Sequence, residues 1–271
     1  MGMIRWLNRH RWGFALLWAV PALLLAAVSR TWRVGAVLLV WIPLAIAVAW
    51  LYFTALEKEM KQARDALEHC DPEPLLENCD RLLAGAGDGR GGYLLALRCN
   101  RISALLALGR REEARAELDR FADAPPREKG SPAAVTLRWN RAELNLEEER
   151  LQGMEGELEA ISAMAQKVRV PSLFGGVTFP ELMDWHVERG RCLLLLRTAG
   201  PVLELLPRLK ELLNKAPCTL YQVQAIMDMA EYHLARGETD QALSCLRLVA
   251  EKAPKLAIGA RAKNKLSHMG F

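Results

Sequence analysis

The sequence predicts an all-α chain: an N-terminal two-helix transmembrane hairpin followed by an α-solenoid of antiparallel helix pairs. Three observations carry this. Residues 1–53 hold five arginines (Arg5, Arg9, Arg11, Arg30, Arg33) and no Lys, Asp or Glu. Val34–Leu56 is uncharged, whereas Glu57–His69 is highly charged and free of Pro and Gly, so one helix can run out of a bilayer into water. Beyond it, apolar residues recur at helical spacing in segments broken by Gly, Pro and capping residues, with no parallel-strand pattern.

The anchor comes first. Trp12–Val28 is 17 uncharged residues, about 25 Å as a helix, and Val34–Phe53 is 20, about 30 Å; each reaches across a hydrocarbon core. Ser29–Arg33 is too short a link for anything but antiparallel spans. Trp6, Trp12, Trp32, Trp50 and Tyr52 lie near the span ends, where aromatic rings favour the interface. Arg5, Arg9 and Arg11 on one flank and Lys58, Lys61 and Arg64 on the other outweigh Arg30 and Arg33 in the turn, which places both termini in the cytoplasm. A cleaved signal peptide would also explain the basic start, but Ala26 and Val28 make a poor cleavage site and a second full span follows. No ionisable residue lies inside either span, so no ion path is indicated. The predicted organisation is an anchor over 1–56 and a helical domain over 57–271.

Charge and cysteine content narrow the function. The chain is 271 residues long with formal net charge +4. Outside the anchor there remain 31 basic and 32 acidic residues. That balance offers no basic face for nucleic acid. Cys70, Cys79, Cys99, Cys192, Cys218 and Cys245 form no C-x-x-C pair and match no zinc spacing; they read as small buried apolar residues.

In order, Glu57–Cys70 continues the second span, and Asp71-Pro72 stops it and starts Pro74–Ala84. Gly85–Gly92 contains a formal G-x-G-x-x-G, but a helix precedes it, so it reads as a flexible link. Tyr93–Leu108 and Arg111–Asp123 form a helix pair split at Gly109, and Ala133–Glu148 and Arg150–Lys167 form the next. Val168–Phe179 is an apolar insert, either a small hairpin around Gly175-Gly176 or a packed loop, able to cover a groove or touch a bilayer. Pro180–Arg197 pairs with Pro201–Lys215 across Ala199-Gly200, and Thr219–Arg236 with Glu238–Lys252 across Gly237. Lys255–His268 is a basic terminal helix. Gly109, Glu148, Gly200 and Gly237 mark the turns, at loose spacings of 39, 52 and 37 residues.

The unit Val223–Pro254 resembles the tetratricopeptide repeat. Met229 and Ala230 fit its large and small first-helix positions and Gly237 its turn. Ala242 and Leu246 fit its second helix, and Pro254 its terminator; Val249 departs from the favoured Ala. A second register places Leu105, Gly109, Ala114, Leu118 and Pro126 on the pattern, with Ile102 and Phe121 departing from it. The resemblance implies a concave face lined by the first helix of each pair and a protein or peptide partner held there. Carried over by position, that face presents Gln224, Met227, Asp228 and Glu231 from the last repeat, and Ala96, Cys99, Asn100 and Ser103 from the earlier one. The family's Lys-and-Asn carboxylate clamp is not recognisable.

No chemistry-bearing constellation emerges. His186 has no second His one turn on and there is no H-E-x-x-H, G-x-S-x-G or G-x-x-x-x-G-K-[ST] motif. His233 occupies a packing position, and Glu147, Glu148 and Glu149 read as a solvated run. The expectation is therefore a non-catalytic membrane scaffold or adaptor with no metal or cofactor. It would bind a protein or peptide partner and touch lipid through the hairpin, with self-association left open. The alternative is a structural subunit assembled through the hairpin.

Overall fold

The computed structural model describes residues 33–84, 92–121, 131–168 and 178–270. Among them are eleven α-helices and no strand: α1 (Arg33–Glu68), α2 (Glu73–Leu83), α3 (Gly92–Ala107), α4 (Arg111–Asp119), α5 (Pro132–Glu147), α6 (Met154–Ala165), α7 (Phe179–Thr198), α8 (Leu205–Asn214), α9 (Thr219–Ala235), α10 (Thr239–Lys252) and α11 (Ala257–His268). The all-α expectation holds. The expected span Trp12–Val28, the Gly-rich link over 85–91 and most of the Val168–Phe179 insert lie outside the described residues.

α1 is one unbroken helix of 36 residues, about 54 Å long. It carries the uncharged stretch after Arg33 directly into the charged one, through Pro43. Leu44 and Leu51, seven positions apart on one face, are 48% and 59% exposed. The side chains of 33–43 and several others in this half lie outside the description. Among the described residues no helix is long and apolar enough to cross a membrane.

The helix pairs number one more than the sequence suggested, because the charged half of α1 packs on α2 as a first pair. α1 ends where Cys70 turns left-handed at φ 67° and the Asp71 amide donates to the Ala66 carbonyl at 2.9 Å. The same closing bond recurs after α3 (Arg110 to Leu105), α5 (Arg150 to Asn145) and α9 (Glu238 to His233). The left-handed residues there are Gly109, Glu149 and Gly237. This six-to-one bond satisfies a carbonyl left over at a helix end and reverses the chain. Cys70 and Glu149 occupy it without being Gly, so the stop that the sequence places at Asp71-Pro72 is made one residue earlier, at Cys70. α6 was expected to begin at Arg150; left-handed Glu149 and Gly153 delay it to Met154. Gly200 likewise delays α8 to Leu205. α7 opens on a reciprocal box in which Thr178 Oγ1 accepts from the Glu181 amide and Glu181 accepts from the Thr178 amide, a strong helix start.

The glutamate run is not a solvated face. Glu147 pairs with Arg111 at 3.0 Å and Glu148 with Arg115, tying α5 to α4; Glu149 is exposed.

Successive pairs stack, with apolar cores between neighbours. Leu97, Ile102 and Leu105 of α3 pack on Leu75 and Cys79 of α2 and Ala114 and Leu118 of α4. Trp139 and Leu146 of α5 meet Leu158 and Ile161 of α6 and Val187 of α7. Trp185 of α7 joins Leu205 and Leu209 of α8 and Tyr232 of α9, and its indole N–H donates to the Leu212 carbonyl at 2.9 Å. Met227 and Ala230 of α9 pack on Leu246 and Val249 of α10.

The array then closes on itself. α9 touches α1, and α11 touches α3. Cys70 is buried in the core formed by α9, α10 and α11, and Lys255 forms an ion pair with Asp71 across 184 positions of sequence. Gly109 fits here twice over: its φ is +73°, and a Cβ on it would meet the Ala257 Cβ at 2.8 Å. The first helices of the pairs therefore surround a central space.

Candidate functional site: a central cavity

The space is a cavity of about 380 Å³, walled chiefly by α1, α3, α5, α7, α9 and α11. Its lining is mainly apolar, including Leu106, Trp139, Met183, Leu220 and Ile258. A second hollow of about 870 Å³ on the α5–α6 side, over Arg138, Asn145 and Met154, has no unpaired buried polar atom in its described wall.

One buried charge cluster spans three helices. Arg189 of α7 donates through Nε to Asp228 at 2.7 Å and through Nη2 at 3.3 Å. Its Nη1 reaches Glu143 of α5 at 3.3 Å. The side chains of Arg189 and Asp228 are 8% and 1% exposed, and that of Glu143 is 17%. Burial works against the Arg189 charge, but Asp228 and Glu143 more than offset it and raise its pKa. Burial also raises Asp228, against the attraction of Arg189. It pushes the Glu143 carboxyl up to about 7, with the Arg189 charge opposing and Glu147 assisting. Two carboxylates thus share one guanidinium.

An aromatic group adjoins the cluster. The His186 ring lies 4.7 Å from that of Trp139, tilted by 34°, and meets that of Tyr221 edge-on at 5.0 Å, centroid to centroid. Burial, reinforced by the Arg189 charge, lowers the His186 pKa to about 3, so the ring is neutral. His186 is 7% exposed, and its Nδ1 has no hydrogen-bond partner among the described residues. Glu68 Oε1, Gln224 Oε1 and Arg261 Nε are likewise buried and unpaired there. All four residues line this cavity, each from a different helix. Buried polar atoms are overwhelmingly paired in folded proteins, so each exception asks for an explanation.

The structure separates the residues that the sequence nominated. Asn100, Ser103 and Gln224 line the cavity, as do Ala96 and Cys99. Asn140 Nδ2 donates to the Cys99 carbonyl at 3.2 Å. Ser103 Oγ lies 3.1 Å from the same carbonyl within α3 and 3.3 Å from Asn140 Oδ1 across to α5, so Asn140 and Ser103 brace the α3–α5 contact. Met227 is fully buried against α10, Asp228 is the partner of Arg189, and Glu231 lies 3.7 Å from Arg261. Sequence reading missed Arg189, Glu143 and His186 as members of one site. The available signal was Asp228, a lone charge within Ala225–Ala230; Arg189, between Glu188 and Arg191, carried no such mark.

His233 is held by Glu238 at 2.6 Å and does not line the cavity. All six cysteines are free. Among the described residues no group of three or more His, Cys, Asp or Glu is placed to hold a metal ion. The arrangement can therefore bind: apolar walls, aromatic faces, and a few polar atoms that converge without partners.

No protein-family model matches the chain, and comparison with curated proteins and with solved structures gives no match.

Proposed function

We propose that this chain is a membrane-anchored, tetratricopeptide-like scaffold that binds a protein or peptide partner through its concave face and does no catalysis. The observation that carries the proposal is the convergence of six inner helices on one cavity with four unpaired buried polar atoms in its wall. Stacked helix pairs with a continuous inner surface are suited to holding an extended segment. The hairpin over residues 12–53 would hold the array at the cytoplasmic surface of a membrane. In support, α1 runs without a break from uncharged to charged sequence, and Leu44 and Leu51 are left uncovered. Tethering raises effective concentration, so a groove of modest affinity suffices.

The test is affinity purification after in-cell crosslinking, on the full chain and on Thr136→Trp, which fills the cavity from α5. The proposal expects a recurrent partner that Thr136→Trp loses while its thermal melt stays intact. Retention of every partner by a folded Thr136→Trp protein contradicts it. The uncovered stripe of Leu44 and Leu51 favours a second reading, a structural subunit docked through its spans. In that case the partner survives Thr136→Trp and is lost in Leu44→Asn and Leu51→Asn.

A further inference from the structure

We propose that the central cavity takes a cationic nitrogen group, a guanidinium or ammonium on a short aliphatic stem. This deepens the concave-face reading above by naming the chemistry of what enters.

The charge balance of the wall together with Asp228 and Glu231, which lie behind it against Arg189 and Arg261, is the first argument. Asp228 and Glu143 share Arg189, and Glu231 lies 3.7 Å from Arg261. Three carboxylates face two guanidiniums. Glu147 is neutralised by Arg111 at 3.0 Å, and Glu68 has Arg64 one helical turn before it. With every carboxyl ionised one negative charge is left over, and Glu143, which burial pushes up to about 7, holds either that charge or a proton. An uncompensated buried charge is costly, and a cation entering the cavity supplies the missing partner.

Hydrogen bonding points the same way. Glu68 Oε1 and Gln224 Oε1 are unpaired acceptors, and they reach the cavity from α1 and α9. Nδ1 of the neutral His186 ring serves as acceptor or donor according to tautomer. A guanidinium or ammonium brings several N–H donors at once. Arg261 Nε is the one unpaired donor, suited to a carbonyl on the same ligand.

Shape completes the case. The indole of Trp139 and the phenol of Tyr221 line the cavity, and aromatic faces attract cations. Leu106, Leu182, Met183 and Leu220 offer a sleeve for an aliphatic stem. A volume of about 380 Å³ is in the range of small-ligand sites. The group could arrive on a free amine or as an Arg or Lys side chain of a bound peptide, and the test separates these.

Isothermal titration on the full chain in detergent micelles, at neutral pH, would use three probes. Agmatine stands for the free ligand and acetyl-Leu-Arg-Leu-amide for the peptide; the same peptide with norleucine for Arg is the uncharged control. The expected result is binding of at least one cationic probe and at least tenfold weaker binding of the control. Glu143→Gln and Glu68→Gln should each weaken the cationic probe about tenfold, roughly the 1.4 kcal/mol that a tenfold change represents. Glu155→Gln, on the outer surface beside Arg191, should change nothing. Agmatine binding alone upholds the cation site and moves the partner from peptide to small amine, against the scaffold reading. Equal binding of the Arg and norleucine peptides overturns the cation site and leaves the scaffold reading standing. No binding of any probe at about 10 mM, where even millimolar sites fill, by a chain of normal melt overturns the proposal.

Discussion

Replacing Arg189 with Met should cost about 3–5 kcal/mol of stability, and the cost should grow with pH. The guanidinium is the shared partner of Asp228, at 2.7 and 3.3 Å, and of Glu143, at 3.3 Å. Met fills similar volume but leaves two buried carboxylates without a counter-charge, and breaking a buried pair from one side typically costs that much. For a chain of this size each kcal/mol moves the midpoint about 2–4 °C, so the melt should fall by roughly 6–20 °C. Burial already raises both carboxyls; without Arg189 their folded pKa values rise further above the unfolded ones. A raised acid contributes its stability below the unfolded pKa and loses it as pH rises through the folded pKa. The deficit should therefore be smaller at about pH 5 than at pH 8. Arg189→Met combined with Asp228→Leu should recover at least half of it, because a well-packed apolar replacement of a buried pair is often neutral. The assay is circular dichroism at 222 nm on the full chain in detergent, melted at several pH values. A deficit under about 1 kcal/mol, well below the usual one-sided loss, or one independent of pH, refutes the reasoning. So does a double variant no more stable than the single.

Glu143→Gln tests the wild-type carboxyl in the same way. With its pKa moved from 4.5 to about 7, wild-type stability should decline by about 3 kcal/mol between those pH values and then level off; Gln should abolish that decline, and parallel pH curves would count against it. Gly259→Ala should lower stability by about 2–4 kcal/mol, since its Cβ would lie 1.9 Å from the Ala253 carbonyl oxygen, a backbone atom that cannot swing aside. Gly190→Ala meets side-chain methyls alone, of Leu158 at 2.9 Å and of Leu146 at 3.4 Å, and should cost about 1 kcal/mol; equal losses would undo the distinction. With an aromatic disulfide reagent, Cys218 and Cys245, which are half-buried, should react in the native state. Cys70, Cys79, Cys99 and Cys192, all buried, should wait for unfolding. Burial pushes Cys79, Cys99 and Cys192 up to about 12, so rapid native labelling at any of them would contradict the packing.

Local features were the legible ones. Gly109, Gly200 and Gly237 mark helix breaks in sequence and take left-handed φ in the structure. Ala114, Ala230, Ala242 and Leu246, singled out by the resemblance to the tetratricopeptide repeat, are fully buried. Each depends on residues within one or two turns. Left-handed turns at Cys70 and Glu149 were not legible, because the side chains there normally oppose that conformation. Nor was the first helix pair, since the sequence of α1 is dominated by its apolar half. Ring closure depends on contacts such as Asp71 to Lys255 that no local pattern announces. The cavity followed the same rule: Asn100, Ser103 and Gln224 were reached through helix position, while Arg189 and Glu143 became visible only when α5, α7 and α9 were brought together. Position on a helix also misassigned Met227, because the inner face of α9 turns it toward α10.

The central claim is that the partner enters the space enclosed by the inner helices. The most direct measurement is in-cell photo-crosslinking of the full chain with a benzophenone side chain placed either at Thr136, in the cavity wall, or at Glu159, exposed on α6. The account predicts one recurrent crosslinked species from Thr136, absent from Glu159 and diminished by Glu143→Gln. The same species from both positions, or none from Thr136 in a folded chain, would contradict it.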